Sequence, residues 1–399
     1  MENFDRIFSD SLSIQQRLVQ ENPEKLRPWL EAGVPKSRGL LLYGPRGVGK
    51  TTYLLRQAQR TGGFYASLDH PSLAGVSVYS LVEYGIARGY ESFYLDEVQY
   101  SPTWSQELKG LYDSFPPVNL IASGSSSLLL AQGVGDLSRR FLGVAVPFLS
   151  FREFLSLRGL GDFPVLDPWK PDPSQIKIML TSLPVFRHFE EYLTYGLRPL
   201  FLEGVEQYPT KILQTLQKTL TFDIPFLVDS LGANHLRLMQ AVVGLLSRSS
   251  IPRIQVNSLC REWGVGKEKL YNLLYAMEQT GVLRILRKKH DFAAQSIGAK
   301  MFLADPSSYK ALGGRVGNLR EAYVACAFSS LGYEVWAATK DEDADFVVDS
   351  GLGPGEQFSR TVEVGGLGKS PKKADFVVRD GQDYPQPGVI PLWVLGMAW

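Results

Sequence analysis

The feature that most narrows what this chain can be is a nine-residue run, GPRGVGKTT, from Gly44 to Thr52, directly after the apolar stretch RGLLLY at 38–43. It satisfies the pattern G-x-x-x-x-G-K-[ST] through Gly44, Gly49, Lys50 and Thr51, with Pro45, Arg46, Gly47 and Val48 between them and Thr52 closing the run. The glycines permit positive φ and close backbone approach, so the loop's N–H groups can surround a phosphate. Lys50 places a cation against β- and γ-phosphates, and the Thr51 hydroxyl suits a Mg²⁺ ligand. The helical pattern TYLLRQAQR that follows aims its positive end at the same anion. The competing reading is a glycine-rich turn with a solvated lysine. A buried strand before the run and a helix after it favour the phosphate loop.

The first 150 residues fit that context. Short apolar runs, GGFYASL (62–68), SFYLDE (92–97), NLIASG (119–124) and VAVPFL (144–149), alternate with amphipathic segments. This is the pattern of a buried parallel sheet with crossover helices. SFYLDE puts Asp96 and Glu97 at a strand's carboxyl end, where open parallel sheets hold their ligands. Asp96 is placed to hold Mg²⁺ and Glu97 to orient or deprotonate an attacking water. The strand ending in Ser123–Ser127 offers a hydroxyl for the γ-phosphate or that water, and Ser125 is the choice. Arg139 and Arg140, late in the same segment, suit an arginine finger offered to a neighbouring subunit, with Arg140 ahead of Arg139.

Together GPRGVGKTT, YLDEVQ, IASGSSS, the arginine pair and PFLSFREFL (147–155) resemble the AAA+-like prokaryotic ATPases whose carboxyl half is the domain known as DUF4143. The similarity continues to TVEVGG and IPLWVLG. It implies an α/β fold with four parts: a RecA-like αβα P-loop core (1–150), a helical lid (151–235), a winged helix-turn-helix (236–300) and a restriction-endonuclease-like α/β domain (301–399). It also implies ATP and Mg²⁺ as cofactors and a sensor arginine in the lid, while an arginine finger shared between subunits would require a homo-oligomeric ring of hexameric kind. Arg198 in YGLRPLFLEG is the candidate for that last role, although the family has a Y-G-G-x-P-like element there.

Bulk charge argues for no particular partner, since 42 Lys+Arg against 41 Asp+Glu leave a net charge of +1. Any nucleic-acid contact must therefore be local. Between 251 and 300, nine basic residues face four acidic ones, and QVNSLCREWGVGKEKLYNLLYAMEQTGVLRILRKK reads as helix, turn, helix and wing. Lys267, Lys269, Arg287, Lys288 and Lys289 are the expected DNA contacts.

Downstream, Glu321 on a helix, Asp345 at a strand and Glu363 on the next resemble, in spacing only, the Mg²⁺ acids of PD-(D/E)xK nucleases. The lysine that motif needs is Gly365 here, and Lys369, Lys372 and Lys373 lie further on, so the domain is expected not to cleave. Two distant cysteines and four scattered histidines exclude a zinc site or a disulfide framework. The opening MENFDRIFSD lacks the basic-then-apolar pattern of a signal peptide, and no run is long enough to span a membrane, so a cytoplasmic chain is expected. The functional expectation is an oligomeric, DNA-associated ATP-driven motor or remodeller. Its rival is a nucleotide-operated switch presenting its carboxyl half to a protein, and a third possibility is an ATP-gated nuclease.

Overall fold

A computed structural model describes residues 2–23, 25–124, 137–228, 231–249, 256–289, 300–339, 344–351, 357–370 and 373–399. The chain divides into two compact units, Met1–Pro147 and Phe148–Trp399.

In the first unit, helices α1 (Glu2–Glu21) and α2 (Pro28–Ala32) precede strand β1 (Gly39–Tyr43), which leads through the glycine-rich loop into α3 (Lys50–Thr61). Then come β2 (Phe64–Ser67), α4 (Val78–Ile86), β3 (Ser92–Asp96), α5 (Trp104–Ser114), β4 (Asn119–Gly124) and β5 (Leu142–Ala145). All the pairings are parallel, in the order β2-β3-β4-β1-β5. Strands covered on both faces need apolar residues at successive positions rather than alternate ones. That is why Leu40, Leu41 and Leu42 of β1 and Phe93, Tyr94 and Leu95 of β3 are all buried. Phe64, Phe93, Leu95, Leu108 and Leu120 meet in one core, each such side chain contributing about 1.5–3 kcal/mol by leaving water. Phe8 of α1 stacks on Phe64 at 4.2 Å. The register sets Ser67 beside Asp96 and Leu42 beside Ser123, so the strands' carboxyl ends finish level with one another.

The second unit begins with α6 (Phe151–Leu157), whose start is a reciprocal capping box between Ser150 and Glu153, as S-x-x-E before an apolar run dictates. Helices α7 (Pro173–Ser182), α8 (Val185–Glu191) and α9 (Tyr208–Lys218) follow. Next are α10 (Ala233–Arg248), α11 (Val256–Trp263), α12 (Lys267–Gln279) and an antiparallel hairpin of β6 (Leu283–Leu286) and β7 (Lys300–Leu303). After α13 (Ser307–Ala311) and the buried α14 (Val316–Ser330) comes a mixed sheet. Its strands are β8 (Glu334–Ala337), β9 (Phe346–Asp349), β10 (Ser359–Gly365), β11 (Phe376–Arg379) and β12 (Val389–Pro391), and a last helix is α15 (Leu392–Leu395). Strands β8 to β10 run antiparallel and β10 to β12 parallel.

Residues 148–399 form one compact unit. Helix α6 is tied to the far end of the same unit: the Phe151 N–H donates to the Gly396 carbonyl at 2.8 Å, and the Trp399 indole N–H to the Phe148 carbonyl at 3.2 Å. Phe151, Phe189, Tyr192 and Tyr323 form a continuous aromatic core between the helical segment and α14.

Candidate functional site

The loop between β1 and α3 bends through backbone that only glycine adopts cheaply: φ is 73° at Gly47 and 99° at Gly49, the residue before the helix. The first intrahelical bond runs from the Tyr53 N–H to the Gly49 carbonyl at 3.0 Å, so the amides of the first turn point out along the axis, where an anion is favoured. Lys50 is buried and its Nζ donates to the Gly44 and Pro45 carbonyls at 2.7 and 2.9 Å, which folds the ammonium over the loop. From below, buried Arg27 donates to the Val48 carbonyl at 2.7 Å and the Pro147 carbonyl at 2.9 Å.

Asp96, at the end of β3 and 2% exposed, gathers donors from four directions. One carboxylate oxygen accepts from Thr51 Oγ1 at 2.6 Å and from the Tyr65 hydroxyl at 3.2 Å. The other accepts from Ser123 Oγ and from the Glu97 N–H at 3.1 Å. Burial, reinforced by the Asp96 carboxylate, raises the Tyr65 phenol far above its ordinary range, so Tyr65 stays a donor. A hydroxyl and a carboxylate this close make an oxygen donor set of the kind Mg²⁺ takes, and Thr51 and Asp96 are the residues that would hold it.

Glu97 is the only non-glycine at positive φ among the described residues, at 51°. A left-handed glutamate costs about 1 kcal/mol and usually marks a place where function fixes the backbone. The turn swings its side chain away from the strand and toward the loop. There Oε1 lies 3.4 Å from Arg46 Nη1 and Oε2 accepts from Gln99 Nε2. Arg46, counted in the sequence only as part of the loop, is thus also a partner of Glu97.

Other expected residues fare differently. Ser125 lies outside the described residues, and the hydroxyl of this strand that reaches Asp96 belongs to Ser123. Arg140 is held in a two-pronged bond to Asp113, Nε to Oδ1 at 2.7 Å and Nη2 to Oδ2 at 2.9 Å, whereas Arg139 is exposed. A guanidinium in fork geometry already has a carboxylate partner, whereas the Arg139 side chain faces solvent. The sensor candidate Arg198 lies in the second unit. It is buried in an ion pair with Asp305 at 2.8 Å.

The basic residues expected at DNA are largely engaged within the unit. Arg287 pairs with Glu278 at 2.9 Å, Lys288 donates to the Thr339 carbonyl at 3.1 Å, and Lys289 pairs with Asp349 at 2.8 Å. The cause is that the chain after β6 runs on beside the mixed sheet, with Lys288 bridging Ala337. Lys267 and Lys269 sit on the first turn of α12, the former exposed.

Sequence reasoning missed Arg27, Tyr65 and Gln99. Gln99 alone left a local trace, two residues after Glu97. The other two reach the site through packing and strand register, which no local pattern encodes.

The AAA domain family profile matches residues 36–155, from just before β1 into α6. No curated protein matches the chain. Among solved structures, the chain is similar to the RuvB Holliday junction branch migration motor of Thermotoga maritima, at 18% identity over 76% of this chain and 95% of that one, with a TM-score of 0.29. It is also similar to AMPPCP-bound DnaA from Aquifex aeolicus, at 17% identity over 67% of this chain and 88% of that one, with a TM-score of 0.27. Among the described residues no helix is long and apolar enough to cross a membrane.

Proposed function

We propose that the chain is a Mg²⁺-dependent ATPase of AAA+-like build that binds ATP and releases ADP. The observation that carries this reading is the 2.6 Å hydrogen bond from Thr51 to Asp96, which joins the glycine-rich loop to the acidic strand end, with Lys50 and Glu97 the adjacent residues. When bound, Mg²⁺ would neutralise charge on the phosphate tail. The residues do the rest. Gly44 to Thr52 enclose the phosphate tail with backbone amides, and Lys50 leaves the loop carbonyls for the phosphate oxygens. Thr51 and Asp96 are the residues that would hold the metal. Glu97 orients the attacking water and accepts its proton. Arg139 completes the site of a neighbouring subunit, which makes turnover a property of a homo-oligomeric ring of hexameric kind.

In this reading residues 151–235 act as a lid, 236–300 as a winged helix-turn-helix touching DNA through α12, and 301–399 as a nuclease-like domain that does not cleave. α11, α12 and the β6–β7 hairpin support the middle assignment. One observation favours the rival target. Arg287 and Lys289 are ion-paired with Glu278 and Asp349 and Lys288 donates to the Thr339 carbonyl, which weakens the basic wing as a phosphate contact and favours a nucleotide-operated switch that presents its carboxyl half to a protein.

The deciding experiment measures ATP turnover with and without duplex, forked and single-stranded DNA across a salt series. Lys50→Ala, which removes the phosphate-binding ammonium, serves as the inactive control. DNA stimulation that fades steeply with salt supports the motor. Turnover indifferent to all three DNAs supports the switch, and wild-type turnover in Lys50→Ala overturns the ATPase itself.

A further inference from the structure

Arg46 and Lys50 place two cations at the glycine-rich loop, and they are held in different ways. The Lys50 ammonium rests on the Gly44 and Pro45 carbonyls, neutral acceptors that leave no bare charge behind when it moves. Arg46, the next residue along and part of the loop's turn with Gly47, lies instead against a carboxylate: its Nη1 is 3.4 Å from Glu97 Oε1. Gln99 Nε2 donates to the other oxygen of Glu97.

The Arg46–Glu97 pair is shielded, with 15% and 14% of the two side chains exposed, so its charges are little screened. It is nonetheless loose. Charge-assisted N–H···O bonds settle near about 2.7–2.9 Å, and between Arg140 and Asp113 the same chemistry closes to 2.7 and 2.9 Å. Both partners of the looser pair are carried on turns, Glu97 at φ 51° and Arg46 just ahead of Gly47 at φ 73°. A guanidinium held at 3.4 Å can exchange its acceptor. The terminal phosphate of a nucleoside triphosphate offers more oxygens and more charge than a carboxylate, in a geometry that a guanidinium matches with two prongs. A diphosphate ends one phosphate short of it.

We propose that Arg46 is the residue by which the loop recognises the terminal phosphate of a triphosphate. It exchanges Glu97 for that phosphate, and Glu97, still held by Gln99, is left with an oxygen for the attacking water. Recognition of the triphosphate and release of the base are then one event. The proposal rests on the ATPase reading above and adds to it a cation from the chain's own loop, separate from the one Arg139 lends to a neighbour.

The test titrates the full chain, in Mg²⁺, with a fluorescent non-hydrolysable ATP analogue and with the matching ADP analogue. Arg46→Met, which keeps a stem and removes the charge, is expected to weaken the triphosphate at least about tenfold and the diphosphate by less than about threefold. Arg46→Lys restores the charge without the fork and should recover part of the triphosphate affinity. Equal weakening of both ligands in Arg46→Met, or of neither, overturns the proposal, and so does an Arg46→Lys protein no better than Arg46→Met. If Arg46→Met does not fold, Arg46→Gln takes its place under the same criteria. Failure of both to fold makes Arg46 a structural residue and overturns the proposal as well. Failure of the ATPase reading looks different, because wild type then binds neither analogue. Wild-type binding of both, with no selective loss in Arg46→Met, leaves the ATPase standing and ends the role of Arg46 alone.

Discussion

Glu97→Gln isolates the chemistry assigned to the left-handed turn after β3. Glutamine keeps the shape and one acceptor oxygen but cannot take a proton. Removing a positioned general base costs about 10²–10⁴ in rate, or roughly 3–5 kcal/mol of barrier. The structural side effect is small and can be worked out. Arg46 donates toward one carboxylate oxygen and Gln99 to the other, so whichever way the new amide is turned its nitrogen faces a donor. One hydrogen bond is lost, worth about 1 kcal/mol. In a unit of this size that lowers the melting temperature by roughly 2–4 °C. The backbone at φ 51° is no worse for glutamine than for glutamate. Phosphate release at saturating Mg²⁺–ATP should therefore fall at least a hundredfold while binding of a fluorescent ATP analogue changes by less than about threefold. Wild-type turnover in Glu97→Gln refutes the water-positioning role. Joint loss of binding and of more than about 10 °C in melting temperature would mean that Glu97 is a structural residue instead.

Two further outcomes are expected. Arg198→Met leaves Asp305 buried without its guanidinium and should cost about 3–5 kcal/mol in urea unfolding, part of it recovered by adding Asp305→Asn; an unchanged unfolding midpoint with lost ATP turnover would restore the sensor role. Arg139→Ala should lower turnover by about 10³-fold or more, whereas Arg140→Ala, which frees a solvent-facing Asp113 pair, should stay within a few-fold of wild type. Equal losses in the two variants, or turnover per subunit that ignores protein concentration, would end the shared-site idea.

What the sequence discloses and what it hides follow one physical division. The phosphate loop and the Asp96–Glu97 pair are legible because consecutive residues build them: glycine torsions, a helix's first turn, a strand's last two positions. Ser123 and Tyr65 reach Asp96 only because β4 and β2 flank β3 in the sheet, and strand order is not written locally. The surroundings of the wing are hidden for the same reason. Lys289 meets Asp349 of β9 and Lys288 the Thr339 carbonyl after β8, some fifty to sixty residues away in sequence. Lys369, whose stem occupies the space a Cβ at Gly365 would need, reaches Glu363 from six residues further along the chain. Nothing near Arg198 in sequence announces Asp305 as its partner.

Arg27 carries a practical consequence. It precedes the segment matched by the AAA profile, yet its guanidinium props the floor of the loop at Val48 and ties it to Pro147. A fragment trimmed to residues 36–155 would keep every signature residue of the nucleotide site and discard the strut beneath them. Anyone seeking a minimal catalytic piece should start upstream of Leu26, or expect a loop that sags and a ligand that binds weakly to it.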